Sequence, residues 1–397
     1  MRWLVLGFLV AVYVFETVVA ILNQKHSRKP IPKNVIGVYD KKRNKWLAYS
    51  LEGHRFNLVQ QGFSLIVLFI LLLGPFAILA RWVSTWFTHA ILQSLIFLGI
   101  YQTFMVCLGI PFGLYRTFSI EERYGFNRTT KTIFIRDAVV SYVVTLAVGG
   151  LLLGGIHALS LRFVDNLWMF AFVTWAILAV IMVLTVAFIG KWLMRLFNKF
   201  TPLPEGELRT RIEELGSALG FNVKAIFVMD ASKRSTKSNA AFAGIGKTRE
   251  VILFDTLLER MSDDEILAVL AHELGHAVHK DTWRLLARQI AVMALYAVGI
   301  GLILQTPGFF TAFGFPGVHF GLLEPISLLL GIPLNMLSRQ DEYNADAFAS
   351  EQTDARWMIS ALKALSRENL VNLNPHPLSV RLYYSHPPMS DRIGALL

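Results

Sequence analysis

The sequence predicts a mainly α, multi-pass membrane protein with seven transmembrane helices and a mixed α+β unit on the cytoplasmic side. Three observations carry that expectation. Of 397 residues, 54% are hydrophobic and only 17% charged, too apolar a balance for a soluble domain. The apolar residues gather into runs near the twenty needed to cross about 30 Å of hydrocarbon. Between the fifth and sixth runs lies a polar interval, residues 191–285, whose mixed helical and strand-like patterns read as a folded unit.

Five runs, roughly 3–22, 62–80, 90–113, 138–160 and 167–190, make a membrane domain over residues 1–190. Two more, about 286–305 and 320–337, follow the polar interval, and residues 338–397 form a C-terminal segment. The last run is broken by Pro325 and Pro333 and carries Glu324. The first is expected as an uncleaved helix rather than a signal peptide, because Glu16 interrupts it and a second span soon follows. The loop 23–56 holds nine Lys/Arg against two acids, while the short loops near 81–89 and 161–166 hold only Arg81 and Arg162. By the positive-inside rule the basic loop is cytoplasmic. Seven crossings then put the N-terminus outside and the stretches 114–137, 191–285 and 338–397 on the cytoplasmic side of a bacterial inner membrane or an endoplasmic reticulum. The net charge of +10 follows from such loops, and nucleic acid is not an expected partner. The single cysteine, Cys107, excludes an intramolecular disulfide and a cysteine-built zinc site, so a metal would need histidine and carboxylate ligands.

Within the polar interval, "EGELRTRIEELGSALG" has helical spacing and ends at Gly220, and "KAIFVMD" and "EVILF" read as strands. "MSDDEILAVLAHELGHAVHK" opens with a capping box, Ser262 with Glu265, and continues as a helix. His272 and His276, at i and i+4 in mid-helix, leave one face a turn apart and can share a tetrahedral Zn²⁺, one per chain. Glu273, turned by about 100°, stands beside the metal and can take a proton from water. That is the zinc-peptidase arrangement, and H-E-x-x-H arises by chance in such a chain on the order of 0.01 times.

A third ligand comes from His279 or Glu342. Three ligands from one straight helix would lie in a row about 10 Å long, which favours Glu342 in "SRQDEYNADAFASE" over His279 at i+7. Glu342 follows the seventh span as the motif helix precedes the sixth, so both segments emerge on one side of an antiparallel pair. Asp346, a turn beyond Glu342, suits the support of a ligand imidazole, and Asp281 is a second candidate for that job. "HELGHAVHKDT" lacks the later Gly and His of the metzincin pattern. A seven-helix receptor or ion transporter would rest on Glu16, His157 and Glu324 within spans, but it leaves the complete motif unexplained. A structural zinc scaffold leaves Glu273 without a use.

"EERYGFNRTT" (121–130), "SKRSTKSNAAFAGIGKTREVILFDTL" (232–257), "HELGH" (272–276), "EYNADAFA" (342–349) and "SHPPMSDRI" (385–393) occur in an order, and amid hydrophobic spans, that resembles the type I CAAX prenyl proteases. The resemblance covers most of the chain. It implies a zincin-like catalytic part, helices around a water-filled intramembrane chamber, and zinc-dependent removal of the C-terminal tripeptide from prenylated CaaX peptides. It implies His272, His276 and Glu342 as zinc ligands and Glu273 as general base. It also implies Asn239 on the strand along which substrate lies, His386 as donor to the oxyanion, and Arg339 and Arg392 in supporting ion pairs. The implied partners are membrane-associated or lipidated peptides and proteins, and the bilayer itself. The alternative within the same chemistry is a quality-control protease for membrane proteins, with non-prenylated substrates.

Overall fold

The chain, described here by a computed structural model over residues 2–39, 43–243, 248–304, 306, 308 and 324–397, begins with α1 (Arg2–Ser27), α2 (Arg43–Leu73), α3 (Pro75–Trp86), α4 (Ala90–Tyr115), α5 (Lys131–Arg162) and α6 (Leu167–Leu184). A small α+β unit follows: β1 (Phe200–Pro202), α7 (Glu207–Ala218), β2 (Asn222–Met229), β3 (Ala240–Ala243), β4 (Thr248–Phe254) and α8 (Asp263–Val278). The remainder is helical: α9 (Asp281–Leu304), α10 (Glu324–Gln352), α11 (Ala355–Asn369), α12 (Pro377–Tyr383) and α13 (Met389–Leu396).

Among the described residues, six helices are long and apolar enough to cross a membrane: Arg2–Ser27, Lys45–Leu73, Ala90–Tyr124, Lys131–Arg162, Leu167–Ala187 and Asp281–Ile303. The protein is therefore a mainly α, multi-pass membrane protein. The seventh expected span, 320–337, begins outside the described residues, and helix is described from Glu324 onward. There the expected break at Pro333 is corrected: α10 runs through Pro333 to Gln352. A proline in such a helix is tolerated where neighbouring groups satisfy the carbonyl it frees.

The second expected span also shifts. Hydropathy places it at 62–80, but the helix runs Arg43–Leu73 and stops at Gly74, with Pro75 at the first turn of α3. Proline lacks the N–H needed to continue a helix and disfavours α geometry in the residue before it. The polar first half of α2 is helical because it packs: Trp46 is 1% exposed and stacks on Tyr39 with ring centroids 5.8 Å apart.

The sheet has the order β1-β2-β4-β3, with β2 and β4 parallel and both outer pairs antiparallel. Strands β1 and β3 are three and four residues long, too short to show a period of two, so residue patterning gives neither, and only the resemblance implies a strand at Asn239. The pairing leaves β3 on the edge, and it lies against α8.

A helix that is apolar on every side must be buried, and α8 is. One flank of it packs with Ile226, Val251, Leu253 and Ile212. The other, through Ala268 and Ala271, packs with Val35, Trp46, Met358, Leu362 and Ile393. The basic loop and the C-terminal segment thus share a core with α8: the Tyr39 hydroxyl donates to the carbonyls of Ser366 and Val371, and Asn374 Nδ2 donates to the His26 carbonyl at 3.1 Å. Loop 23–39 and the α+β unit therefore lie on the same side of the membrane helices. Between α1, α2, α4 and α10 opens a cavity of about 600 Å³ whose wall includes Tyr13, Glu16, Gln60, Gln61, Tyr101 and Tyr383.

Candidate active site

The register of α8 is set at its start, where Ser262 Oγ accepts from Glu265 N and Glu265 Oε2 accepts from Ser262 N. Three turns on, His272 and His276 point from one face, with ring centroids 4.8 Å apart and planes at 84°. Gly275, between them, lets the next element in. A Cβ there would lie 3.2 Å from Ala345 Cα and 3.1 Å from Phe348 Cδ1, so only glycine allows α8 and α10 this close an approach.

That approach delivers Glu342. Its Oε2 lies 3.5 Å from His272 Nε2 and its Oε1 lies 3.5 Å from His276 Nε2. One ligand atom from each of the three falls within 4.8 Å of the others, the one such group of three metal-binding residues among the described residues. The residues fit an ion. Glu342 Oε2 is buried without a hydrogen-bond partner, and each histidine has its other nitrogen anchored: His272 Nδ1 on Asp346 Oδ1 at 2.9 Å, His276 Nδ1 on Asp281 Oδ2 at 2.8 Å. A carboxylate on Nδ1 fixes the tautomer that leaves the Nε2 lone pair free for a metal.

The anchors are themselves held. Arg392 grips Asp346 with two bonds, 2.7 and 2.6 Å, in a buried pair; stripping one partner from such a pair costs about 3–5 kcal/mol. Arg392 also approaches Glu342 Oε2 at 3.4 Å. On the other side, Arg284 bridges Asp281 to the buried Asp341, with 2.7 Å to the latter, and Arg288 meets Asp341 at 2.7 Å. Asp341, Arg284 and Arg288 escaped the sequence reading. The available signal was two arginines, four residues apart, at the foot of an apolar span.

The charges shape the ionisations. Burial alone would lower His276, but its hydrogen bonds to Glu342 and Asp281 push it up to about 9. Burial would raise Glu342, yet bonds from His276 and His386 and the charges of His272 and Arg392 hold it well below the carboxylate range. Burial pushes the Glu273 carboxyl up, against the pull of His272 and His276. A carboxylate so raised is a better proton acceptor.

His386 arrives from the turn between α12 and α13. Its Nε2 is 3.1 Å from Glu342 Oε1, its Nδ1 is 2.9 Å from Ser385 Oγ, and its side chain is 62% exposed. His279, the rival ligand, ends α8 with its ring against Phe348, centroids 5.7 Å apart, and its buried Nδ1 has no partner. Arg339 requires a correction: it forms no ion pair with a described acid and instead donates to the carbonyls of Val380 at 3.0 Å and Tyr384 at 2.6 Å. Both bonds run from Nη1 to backbone oxygens rather than to a carboxylate.

Asn239 is exposed at the head of β3, where its Oδ1 accepts from Ala240 N at 2.9 Å and its carbonyl from Phe254 N at 3.2 Å. It makes no hydrogen bond to the histidines or Glu342. Its strand is held instead by the "EERYGFN" loop. Gly125, at φ 81°, turns that loop, Phe126 O accepts from Thr236 N at 3.1 Å, and Asn127 bridges Ser235. Lys237 caps the contact, 3.2 Å from Glu121 and 4.5 Å from the Phe126 ring centre.

Comparison with known proteins gives the family. A sequence model described as "CAAX prenyl protease N-terminal, five membrane helices" matches residues 20–199, and "Peptidase family M48" matches residues 202–397. A CAAX prenyl protease 1 homolog of Arabidopsis thaliana is 34% identical, covering 99% of this chain and 96% of its own. The CAAX prenyl protease 1 of Saccharomyces cerevisiae is 33% identical over 77% of this chain and 72% of its own. The crystal structure of S. mikatae Ste24p superposes with a TM-score of 0.90 at 28% identity, covering 100% of this chain and 98% of that one. With family matches that cover residues 20–199 and 202–397, and a group of three residues able to hold a metal ion inside the peptidase half, the chain belongs to the CAAX prenyl protease family of integral-membrane metalloendopeptidases.

Proposed function

We propose that the metal is zinc, one per chain, held by His272, His276 and Glu342, and that the protein trims the C-terminal tripeptide from lipidated CaaX peptides held at the membrane. The observation that carries this is the convergence on one point of two Nε2 atoms and a buried carboxylate oxygen that has no hydrogen-bond partner, each histidine braced by a carboxylate. When bound, zinc supplies Lewis acidity, making water a nucleophile near neutral pH and polarising the scissile carbonyl. Glu273 takes the proton of the attacking water and passes it to the leaving amine. His386 Nε2 donates to the oxyanion as it develops, and its exposure leaves it open to substrate. The free edge of β3 accepts the peptide backbone as an added strand, with Asn239 at its head; backbone pairing is largely indifferent to sequence, so selection falls to access from the bilayer.

The test is one CaaX peptide with and without its farnesyl group, with Glu273→Gln as blank. Cleavage of the farnesylated peptide on the carboxyl side of cysteine is expected, with slower cleavage of the bare one. Strict dependence on the lipid would sink the loose-specificity reading. Failure on both would favour the quality-control role with other substrates.

The charge of loop 23–56 supports a cytoplasmic position for the catalytic unit, of a bacterial cell or on the endoplasmic reticulum. Cysteines replacing the exposed Arg28 and Lys233 in a Cys107→Ser background should react with an impermeant thiol reagent only after the membrane is opened. Labelling in intact cells reverses the orientation.

Metal binding should also depend on pH. In the metal-free site His276 keeps its proton up to about pH 9, and zinc must displace it. Between pH 6.5 and 8.5 the apparent zinc affinity should therefore rise by about tenfold per unit. Chelator competition at three pH values reads the slope, and a flat profile would mean that His276 binds metal without losing a proton.

A further inference from the structure

His386 has a positional problem. Its side chain is 62% exposed, and its polar partners are its neighbour Ser385 and Glu342, a carboxylate that also faces His272, His276 and Arg392. Nothing packs the imidazole into place, so its position must be inherited from its backbone. A group that donates to a developing charge has to be held before the charge appears, and a misplacement of about 1 Å costs on the order of 10²-fold.

The backbone that carries it is held by α10. Arg339 donates to the carbonyls of Val380 and Tyr384, and one turn earlier Asn335 Nδ2 donates to the carbonyl of Leu382 at 2.9 Å. These three carbonyls belong to the last turn of α12 and its cap, which end two residues before His386. The last carbonyls of a helix have no intrahelical partner, and here side chains of a neighbouring helix take those of Leu382 and Tyr384, while the Val380 carbonyl accepts from both Tyr384 N and Arg339. Asn335, Arg339, Glu342 and Asp346 recur at intervals of four, three and four, a single stripe along α10. The first two hold the turn that bears His386, the third faces the two histidines of α8, and the fourth holds His272 and Arg392.

We propose that Arg339, seconded by Asn335, is a positioning residue that sets His386 against the reacting carbonyl by clamping the end of α12 to the helix that carries Glu342. An ion-pairing role would need an acid, and Arg339 has none among the described residues; its Nη1 donates to backbone carbonyls instead. The clamp also meets the membrane cavity: Asn335, Leu382 and Tyr383 line it, so the turn that presents His386 is also part of the wall of that cavity.

The inference rests on His386 acting in the reaction, and a double-mutant cycle separates the two. Zinc-loaded protein with Arg339→Met should keep its metal and its melting temperature within a few degrees, hold KM within about twofold, and lose kcat by roughly 10- to 100-fold. Arg339→Lys, which still reaches a carbonyl, should recover part of the loss, and Asn335→Leu should show a smaller loss of the same kind. In a His386→Ala background, Arg339→Met should cost less than about twofold, because residues acting through one another are not additive. Multiplying losses in that background, or loss of metal from Arg339→Met, overturns the clamp and leaves the role of His386 standing. Should Arg339→Met fail to accumulate, the same cycle with Asn335→Leu decides: additivity overturns the clamp, non-additivity supports it. Unchanged turnover in His386→Ala overturns the role of His386 and the clamp together.

Discussion

Glu273→Gln should keep its metal and lose at least about 10²-fold in kcat, since general-base catalysis contributes about 10² to 10⁴. The substitution is isosteric and removes only the ability to accept a proton. Glu273 is not among the three groups that converge on one point, so the metal content should hold near that of the parent. Nor should stability fall, because burial already opposes the charge that the glutamine lacks. Metal analysis and peptide turnover on one preparation give both readings. A variant that has lost its metal makes Glu273 a ligand, and one that turns over within about threefold of the parent removes it from proton transfer.

The parts of this protein that can be read from sequence are those whose cause is local. Ser262 and Glu265 announce the start of α8 three residues apart, and both cap bonds are present. His272 and His276 share a face because they are one turn apart on a helix. Glu342 is further off, and the sequence offers it only by taking two consecutive apolar runs as an antiparallel pair of spans, the second of which begins outside the described residues. What stayed hidden is long-range. Nothing near Trp46 says that it will be buried against α8 and α13, and so hydropathy misplaces the start of α2. Strand β3 owes its existence to β4 and to the clamp of Phe126 and Lys237. Arg339 reads as half of an ion pair, since sequence shows charges and not the carbonyls a folded turn will offer.

The two histidines are not braced alike. His272 leans on Asp346 of α10, which Arg392 of α13 secures in the interior. His276 leans on Asp281, the first residue of the membrane-crossing α9, and through Arg284 on Asp341 of α10. A shift of α9 against α10 therefore acts first on His276, while His272 stays with α10. The metal site is in this way indexed to the membrane helices as well as to the soluble core.

Glu342→Ala should release most of the metal, whereas His279→Ala should retain it. A catalytic zinc site takes three protein ligands and leaves one position open, so two histidines alone hold the ion weakly. Electrostatics adds to the loss: Arg392 lies 3.4 Å from Glu342 Oε2, and without the carboxylate beside it that guanidinium repels a divalent cation. His279 sits at the C-terminal end of α8 with its ring turned to Phe348, and its removal touches neither the carboxylates on Nδ1 of the other two histidines nor Glu342. Zinc per chain, measured after dialysis against a weak chelator, should drop from about one to a small fraction for Glu342→Ala and stay near one for His279→Ala. The opposite pattern would transfer the third ligand to His279, and α8 would then have to bend to bring three histidines of one helix onto a single ion.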